Sequence, residues 1–172
     1  NIYVEGDKAA LKVSESIISG GKTGIYLDCT DVSSVQISDS EIVDSNSAAI
    51  YIESVGTNVF SIKNNKIGSL GSTPVYFCLE GLKTGAEIGI ADDNRFIGEN
   101  KASYVWLAGH VTSNITIPKG VYLSTGITVR EGKTLTVNPG VNIIFEYGGI
   151  VLNGTLDAYG TEEEKIVFTS AS

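Results

Sequence analysis

The residues with the clearest potential for chemistry are two adjacent acids, Asp92 and Asp93, which are followed by Arg95 and later by His110. Paired carboxylates can hydrolyse a glycosidic bond by acid–base catalysis, and a carboxylate cluster can hold Ca²⁺. However, a short acidic run is usually a solvated turn, and the chain has one histidine. We therefore predict that the chain is not an enzyme and that it has no catalytic residue, metal site or cofactor.

A second set of candidates is aromatic and recurs along the chain. Most of these residues are the middle residue of a short alternating apolar run, so their rings should face away from the core in one column. The column could bind a sugar or a partner protein, or it could stabilise neighbouring strands by cross-strand contact. The candidate binding residues are Tyr3, Tyr26, Tyr51, Tyr76, Tyr104 and Trp106.

Two cysteines, Cys29 and Cys78, are the only thiols. They are too few and too far apart for a metal motif or a disulfide framework. We expect them to be unpaired within the chain, and in an assembly they could form intermolecular cross-links.

These candidates lie on an internal repeat, which is the strongest signal in the sequence. One strand recurs with the same alternation of apolar residues; its copies are Ile2-Tyr3-Val4, Ile25-Tyr26-Leu27, Ile50-Tyr51-Ile52, Val75-Tyr76-Phe77 and Val105-Trp106-Leu107. A second strand ends at a corner with a polar residue before an apolar one; the polar positions are Ser16, Ser40, Asn65 and Asn94, and the apolar positions are Ile17, Ile42, Ile67 and Phe96. We expect the polar positions to form an internal hydrogen-bonded ladder.

The same strand returning once per repeat favours stacked parallel coils over a sandwich, in which each strand would need its own hairpin. Residues 1–110 have repeats of about 25 residues, whereas residues 111–172 form a second type of coil. In that second type Ile127 recurs as Ile150, Leu135 as Leu156, and Ile143 as Ile166. We predict one all-β domain over residues 1–172, a right-handed parallel β-helix of about seven coils and roughly 30–35 Å in length.

The run from Ile127 to Val141, followed by Asn153-Gly-Thr-Leu156 and Ile166-Val-Phe-Thr-Ser170, resembles a module of large secreted proteins. These are bacterial and archaeal surface proteins of the pectate-lyase-like β-helix superfamily. The resemblance implies a β-helix at the cell surface. Asp92-Asp93 and Gly109-His110 resemble part of a polygalacturonase site, but its Asn-Thr-Asp and Arg-x-Lys segments are missing.

Composition excludes several classes of function. A formal charge of −8 with scattered Lys and Arg argues against nucleic-acid binding, and no apolar stretch is long enough to span a membrane. With 42% hydrophobic residues and three prolines, the chain is neither disordered nor collagen-like.

Because the chain starts at Asn1 and contains no methionine, we expect it to be either a processed form or a fragment. Open β-helix ends would then be covered by adjoining coils of a longer protein or by other copies. We predict a non-catalytic extracellular structural or adhesive solenoid that self-associates through its ends, as in a sheath, surface layer or filament. The alternative is a domain that binds or cleaves polysaccharide.

Overall fold

The alternating apolar runs form short parallel strands that stack from one coil to the next. A computed structural model describes residues 1–90, 93–98 and 104–171, and within them it contains twenty strands and no helix. The strands are β1 (Ile2–Gly6), β2 (Ala9–Ser14), β3 (Ile17–Ser19), β4 (Thr23–Cys29), β5 (Val32–Ser38), β6 (Glu41–Ser45), β7 (Ala48–Val55), β8 (Phe60–Lys63), β9 (Lys66–Ser69), β10 (Val75–Cys78), β11 (Ala86–Glu87), β12 (Arg95–Phe96), β13 (Val105–Val111), β14 (Ile115–Ile117), β15 (Gly120–Val129), β16 (Thr134–Val137), β17 (Val141–Phe145), β18 (Ile150–Leu152), β19 (Thr155–Ala158) and β20 (Val167–Ser170).

One sheet, here called the front sheet, runs the whole length of the stack. Its order is β1-β4-β7-β10-β13-β15-β17-β20, and β18 also pairs with β15. The second face consists of two sheets, β2-β5-β8 and then β11-β14-β16-β19. The third face is a single sheet, here called the third sheet, with the order β12-β9-β6-β3. This arrangement confirms the expected all-β parallel solenoid, which has about seven turns.

The front-sheet register is the one that the repeat predicts. Ile25 pairs with Ile2 on one side and Ile50 on the other, and Val75 pairs with Val105 further along. The inward residues of the middle coils are fully buried, and they join one continuous apolar core with the inward residues of the other faces. Each coil is therefore stabilised chiefly by burying its apolar side chains on its neighbours.

Two predicted alignments are wrong. At the first corner Ile18, not Ile17, pairs with Ile42, so Ile17 is 76% exposed and Ile18 is 8% exposed. Near the end of the chain Ile143 pairs with Phe168 rather than with Ile166. That register differs by two residues and keeps the same faces, so apolar alternation alone could not distinguish the two.

The third sheet ends at β12, and the second-type coils follow from residue 111. In these coils a single long strand, β15, bends at Ser124–Gly126, and its two halves pair with β17 and β18. The nitrogen of Gly126, which has a φ of 128°, donates a hydrogen bond to the Ser124 hydroxyl. A positive φ costs glycine little, so this bend requires no buried polar side chain from another coil.

The last coil leaves core positions uncovered. Phe168 is 41% exposed and Leu152 is 49% exposed, although their register partners one coil earlier, Ile143 and Val129, are fully buried. The apolar columns thus extend to this end of the stack and present an apolar surface there.

Candidate functional site

The aromatic column lies on the outer face of the front sheet. Tyr3, Tyr26, Tyr51, Tyr76 and Trp106 occupy successive register positions from β1 to β13. Ring centroids of the consecutive tyrosines are 5.8, 5.7 and 4.6 Å apart, and the interplanar angle falls from 41° to 20° and then 15°. We call these four residues the tyrosine ladder.

Stacking determines which parts of the tyrosine rings are accessible. The rings from Tyr26 to Tyr76 face one another at van der Waals range, as offset-stacked aromatic pairs do. A pyranose that stacked on these residues would need the same ring faces. The ladder therefore offers mainly ring edges and phenol hydroxyls to a ligand.

Carboxylates lie beside the ladder. Burial raises the pKa of Tyr26, and the negative charges of Glu53, Asp28 and Glu5 raise it further. Burial, followed by the charge of Glu53, raises the pKa of Tyr51 to about 12. The phenols of Tyr26 and Tyr51 thus remain neutral hydrogen-bonding groups at physiological pH, next to carboxylates.

Beyond the tyrosine ladder, the same outward register positions continue into the second-type coils with other side chains. Trp106 pairs with Leu123, and Leu123 pairs with Ile144. Although it points outward in register, Leu123 is only 3% exposed. Tyr104 lies just before β13, outside the strand itself, and is partly buried. The register of β15 defines this aliphatic continuation, which the spacing of the aromatic residues does not predict.

Asp93, one of the two acids that first suggested catalysis, lies at a corner, where it has a structural role. Asp93 accepts a 2.8 Å hydrogen bond from the backbone nitrogen of Asn64 through its Oδ1 atom. Arg95 is exposed on β12 in the third sheet, whereas His110 lies on β13 in the front sheet. Asp92 is outside the described residues. The structure therefore does not bring Asp93 and His110 onto one face.

The polar corner positions form the hydrogen-bonded ladder that the sequence predicts, here called the corner ladder. The backbone nitrogens of Ser16, Ser40 and Asn65 each donate to the side-chain oxygen of the corner residue one coil further on, at 3.0–3.1 Å. The Nδ2 atom of Asn94 donates to the carbonyl of Ile62 at 2.7 Å. These groups hold adjacent coils together and satisfy polar atoms that the core would otherwise leave unpaired.

The two cysteines differ in accessibility. Both are free thiols, but Cys29 is fully buried in the core and its Sγ lies 3.8 Å from the carbonyl oxygen of Asp31. This burial argues against Cys29 as an intermolecular cross-link. Cys78 is partly exposed. Burial, with the negative charges of Glu80 and Glu53, raises the pKa of its thiol, and a hydrogen bond with the Glu80 backbone offsets part of this rise. A raised pKa lowers the fraction of reactive thiolate, so cross-linking by Cys78 stays a prediction.

Within residues 1–90, 93–98 and 104–171 no group of three or more His, Cys, Asp or Glu side chains is arranged to hold a metal ion. The Nδ1 atom of His110 is buried without a hydrogen-bond partner in that part of the chain. The described residues also contain no helix that could cross a membrane.

Comparison with known proteins gives one local similarity. A stretch of 47 residues, 27% of this chain, is 53% identical to Protein bark beetle of Drosophila melanogaster. The stretch spans 2% of the length of the Drosophila protein. No protein-family model matches the chain, and no solved structure gives a significant match.

Proposed function

We propose that this chain is a non-catalytic structural or adhesive β-solenoid of the cell exterior, and that it associates with further copies by stacking of coils. The extracellular location is supported by the resemblance of residues 127–170 to modules of the pectate-lyase-like β-helix superfamily. The absence of catalysis is supported by Asp93, whose carboxylate holds the turn at Asn64.

The observation that carries the proposal is the front sheet, which repeats the same parallel pairing from β1 to β20. Phe168 and Leu152 continue columns that are buried elsewhere, and a further parallel coil, from an adjoining segment or from a second copy, would cover them. Complete burial of an apolar side chain of this size contributes about 1.5–3 kcal/mol. The strands β1 and β2 of a second copy would extend the front sheet and the second face, whereas the third sheet, which ends at β12, would be interrupted.

Sedimentation velocity combined with negative-stain microscopy tests the stacking. We expect the wild-type chain to form rods whose length grows with protein concentration, and Phe168→Lys to shift the population to single short particles. Leu70→Lys is the matched control, because Leu70 is exposed on the side of the stack, after β9. Single particles of wild type at every concentration, or an equal loss of rods in Leu70→Lys, would contradict the proposal.

A further inference from the structure

One pair of rings in the tyrosine ladder is closer and more nearly parallel than the others. Tyr51 and Tyr76 are direct register partners on β7 and β10, and their ring centroids lie 4.6 Å apart at an interplanar angle of 15°. The centroids of Tyr26 and Tyr51 are 5.7 Å apart, and those of Tyr3 and Tyr26 are 5.8 Å apart with tilted planes. Parallel strands in register present paired side chains in the same direction, so the ortho carbons of the Tyr51 phenol lie close to those of Tyr76.

The Tyr51 phenol has a base for its proton. Glu53 follows Tyr51 by two residues on β7, and a side-chain hydrogen bond joins the Glu53 carboxylate to the phenol. A phenol that loses an electron becomes strongly acidic, so its proton passes to such an acceptor as the electron leaves. The carboxylate therefore favours oxidation of Tyr51 to a neutral phenoxyl radical.

Both rings are accessible from solvent on the outer face of the front sheet. Tyr51 and Tyr76 are only partly buried, so an oxidant can reach their edges and hydroxyls. Cys78 follows Tyr76 by two residues on β10 and lies close enough to influence its ionisation. Because a thiol can return a hydrogen atom to a phenoxyl radical, Cys78 is a competing reductant at this site.

We propose that Tyr51 and Tyr76 form an oxidative cross-linking site, at which a haem peroxidase with hydrogen peroxide joins the two rings into an intramolecular dityrosine. Each phenol gives one electron to the oxidant and releases one proton, that of Tyr51 through Glu53. The two radicals form a carbon–carbon bond between ortho carbons, whose hydrogens move to the ring oxygens as the rings regain aromaticity. One hydrogen peroxide takes up the two electrons and two protons and becomes two molecules of water. The bond ties β7 to β10 and does not depend on the stacking of copies.

Oxidation of the Cys78→Ser chain in dilute solution with a haem peroxidase and hydrogen peroxide tests the proposal, because this variant lacks the competing thiol. We expect dityrosine fluorescence from a species that stays monomeric and loses two hydrogen atoms in mass. Tandem mass spectra should show the peptides of Tyr51 and Tyr76 joined to each other. The absence of dityrosine, cross-links between chains only, or another tyrosine pair as the main product would overturn the proposal.

Conservative variants locate the reaction. Tyr76→Phe keeps the ring without its hydroxyl and should lower the yield of monomeric dityrosine at least about ten-fold, because a well-oriented neighbour reacts as if it were highly concentrated. Tyr147→Phe removes a phenol that is 75% exposed outside the ladder and should leave the yield unchanged. Glu53→Gln should slow the reaction, whereas Glu131→Gln, in the exposed turn between β15 and β16, should not. Equal yields in the two tyrosine variants, or equal rates in the two glutamate variants, would also overturn it.

Discussion

The first-type and second-type coils build the same continuous front sheet with different corner chemistry. In the first type, the residue just before three of the corner-ladder residues has a positive φ although it is not glycine. These residues are Glu15, Asp39 and Asn64, with φ values of 49°, 52° and 55°. In the second type the positive φ values belong to glycines, including Gly132 and Gly140. First-type corners thus place side chains under strain, and second-type turns avoid that strain.

The difference shows two ways to fix the path of a coil. A corner-ladder residue receives its hydrogen bonds from the neighbouring coils, so each first-type corner depends on the corners above and below it. A glycine turn such as that at Gly126 is closed by a bond to Ser124, two residues away. We therefore expect a substitution in a first-type corner to destabilise the neighbouring coils as well, and a substitution in a second-type turn to destabilise only that turn.

Removal of a corner amide should have the largest effect. The Asn65 side chain accepts from the Ser40 nitrogen and donates to the carbonyls of Ile37 and Lys63. Because Asn65→Ala removes these hydrogen bonds and leaves the buried Ser40 nitrogen without its acceptor, it should lower the free energy of unfolding by about 3 kcal/mol in urea denaturation. Asn153→Ala, at an exposed position of a second-type turn, should change it by less than about 0.5 kcal/mol. Similar losses for the two variants would remove the distinction between the coil types.

A glycine substitution should have an intermediate effect in the second-type coils. A Cβ atom added at Gly154 would lie 2.3 Å from the carbonyl oxygen of Arg130 and 2.4 Å from that of Lys133. Since both atoms are backbone, Gly154→Ala should cost about 2 kcal/mol in the same assay. At Gly149 the added atom would meet nothing within 4 Å, so Gly149→Ala serves as the control. A neutral Gly154→Ala would mean that the turn relaxes without disturbing the adjacent coil.

A substitution in the tyrosine ladder should have the smallest effect on stability, and this effect should appear only at alkaline pH. Burial and the charge of Glu53 raise the pKa of Tyr51 from 10.0 to about 12. The unfolded chain therefore loses this proton first, and stability that is present below pH 10 should fall between pH 10 and 12. Absorbance at 295 nm and denaturation across this range should show a shallower fall in Tyr51→Phe. The exposed Tyr159→Phe is the control, and a Tyr51→Phe profile that matched wild type would contradict the assignment.

The recurrence of apolar residues was sufficient to predict most of the fold. The inward columns, the corner ladder and the second-type pairing of Ile127 with Ile150 are all confirmed. The first corner was misaligned because Ile17 and Ile18 are both apolar. The other three copies place the apolar residue two positions after the polar one, and that spacing assigns Ile18 to the inward position.

The candidate site was predicted only in part. The order of the tyrosines along one face follows from their spacing, but whether their ring faces are open or stacked depends on side-chain torsions that the spacing does not determine. The acids Glu5, Asp28 and Glu53 carry no pattern of their own, and only the register brings them beside the ladder. The aliphatic continuation at Leu123 was missed because the second-type coils have a different period.

The tyrosine ladder also has an optical consequence. Trp106 is the only tryptophan in the chain and follows Tyr76 in the register of the front sheet. Light absorbed by the stacked phenols can pass to the indole, which emits at longer wavelength, as long as the coils remain stacked. Separation of the coils anywhere between β7 and β13 interrupts this transfer. The ratio of tyrosine to tryptophan emission therefore reports, without any added label, whether the coils between β7 and β13 remain stacked.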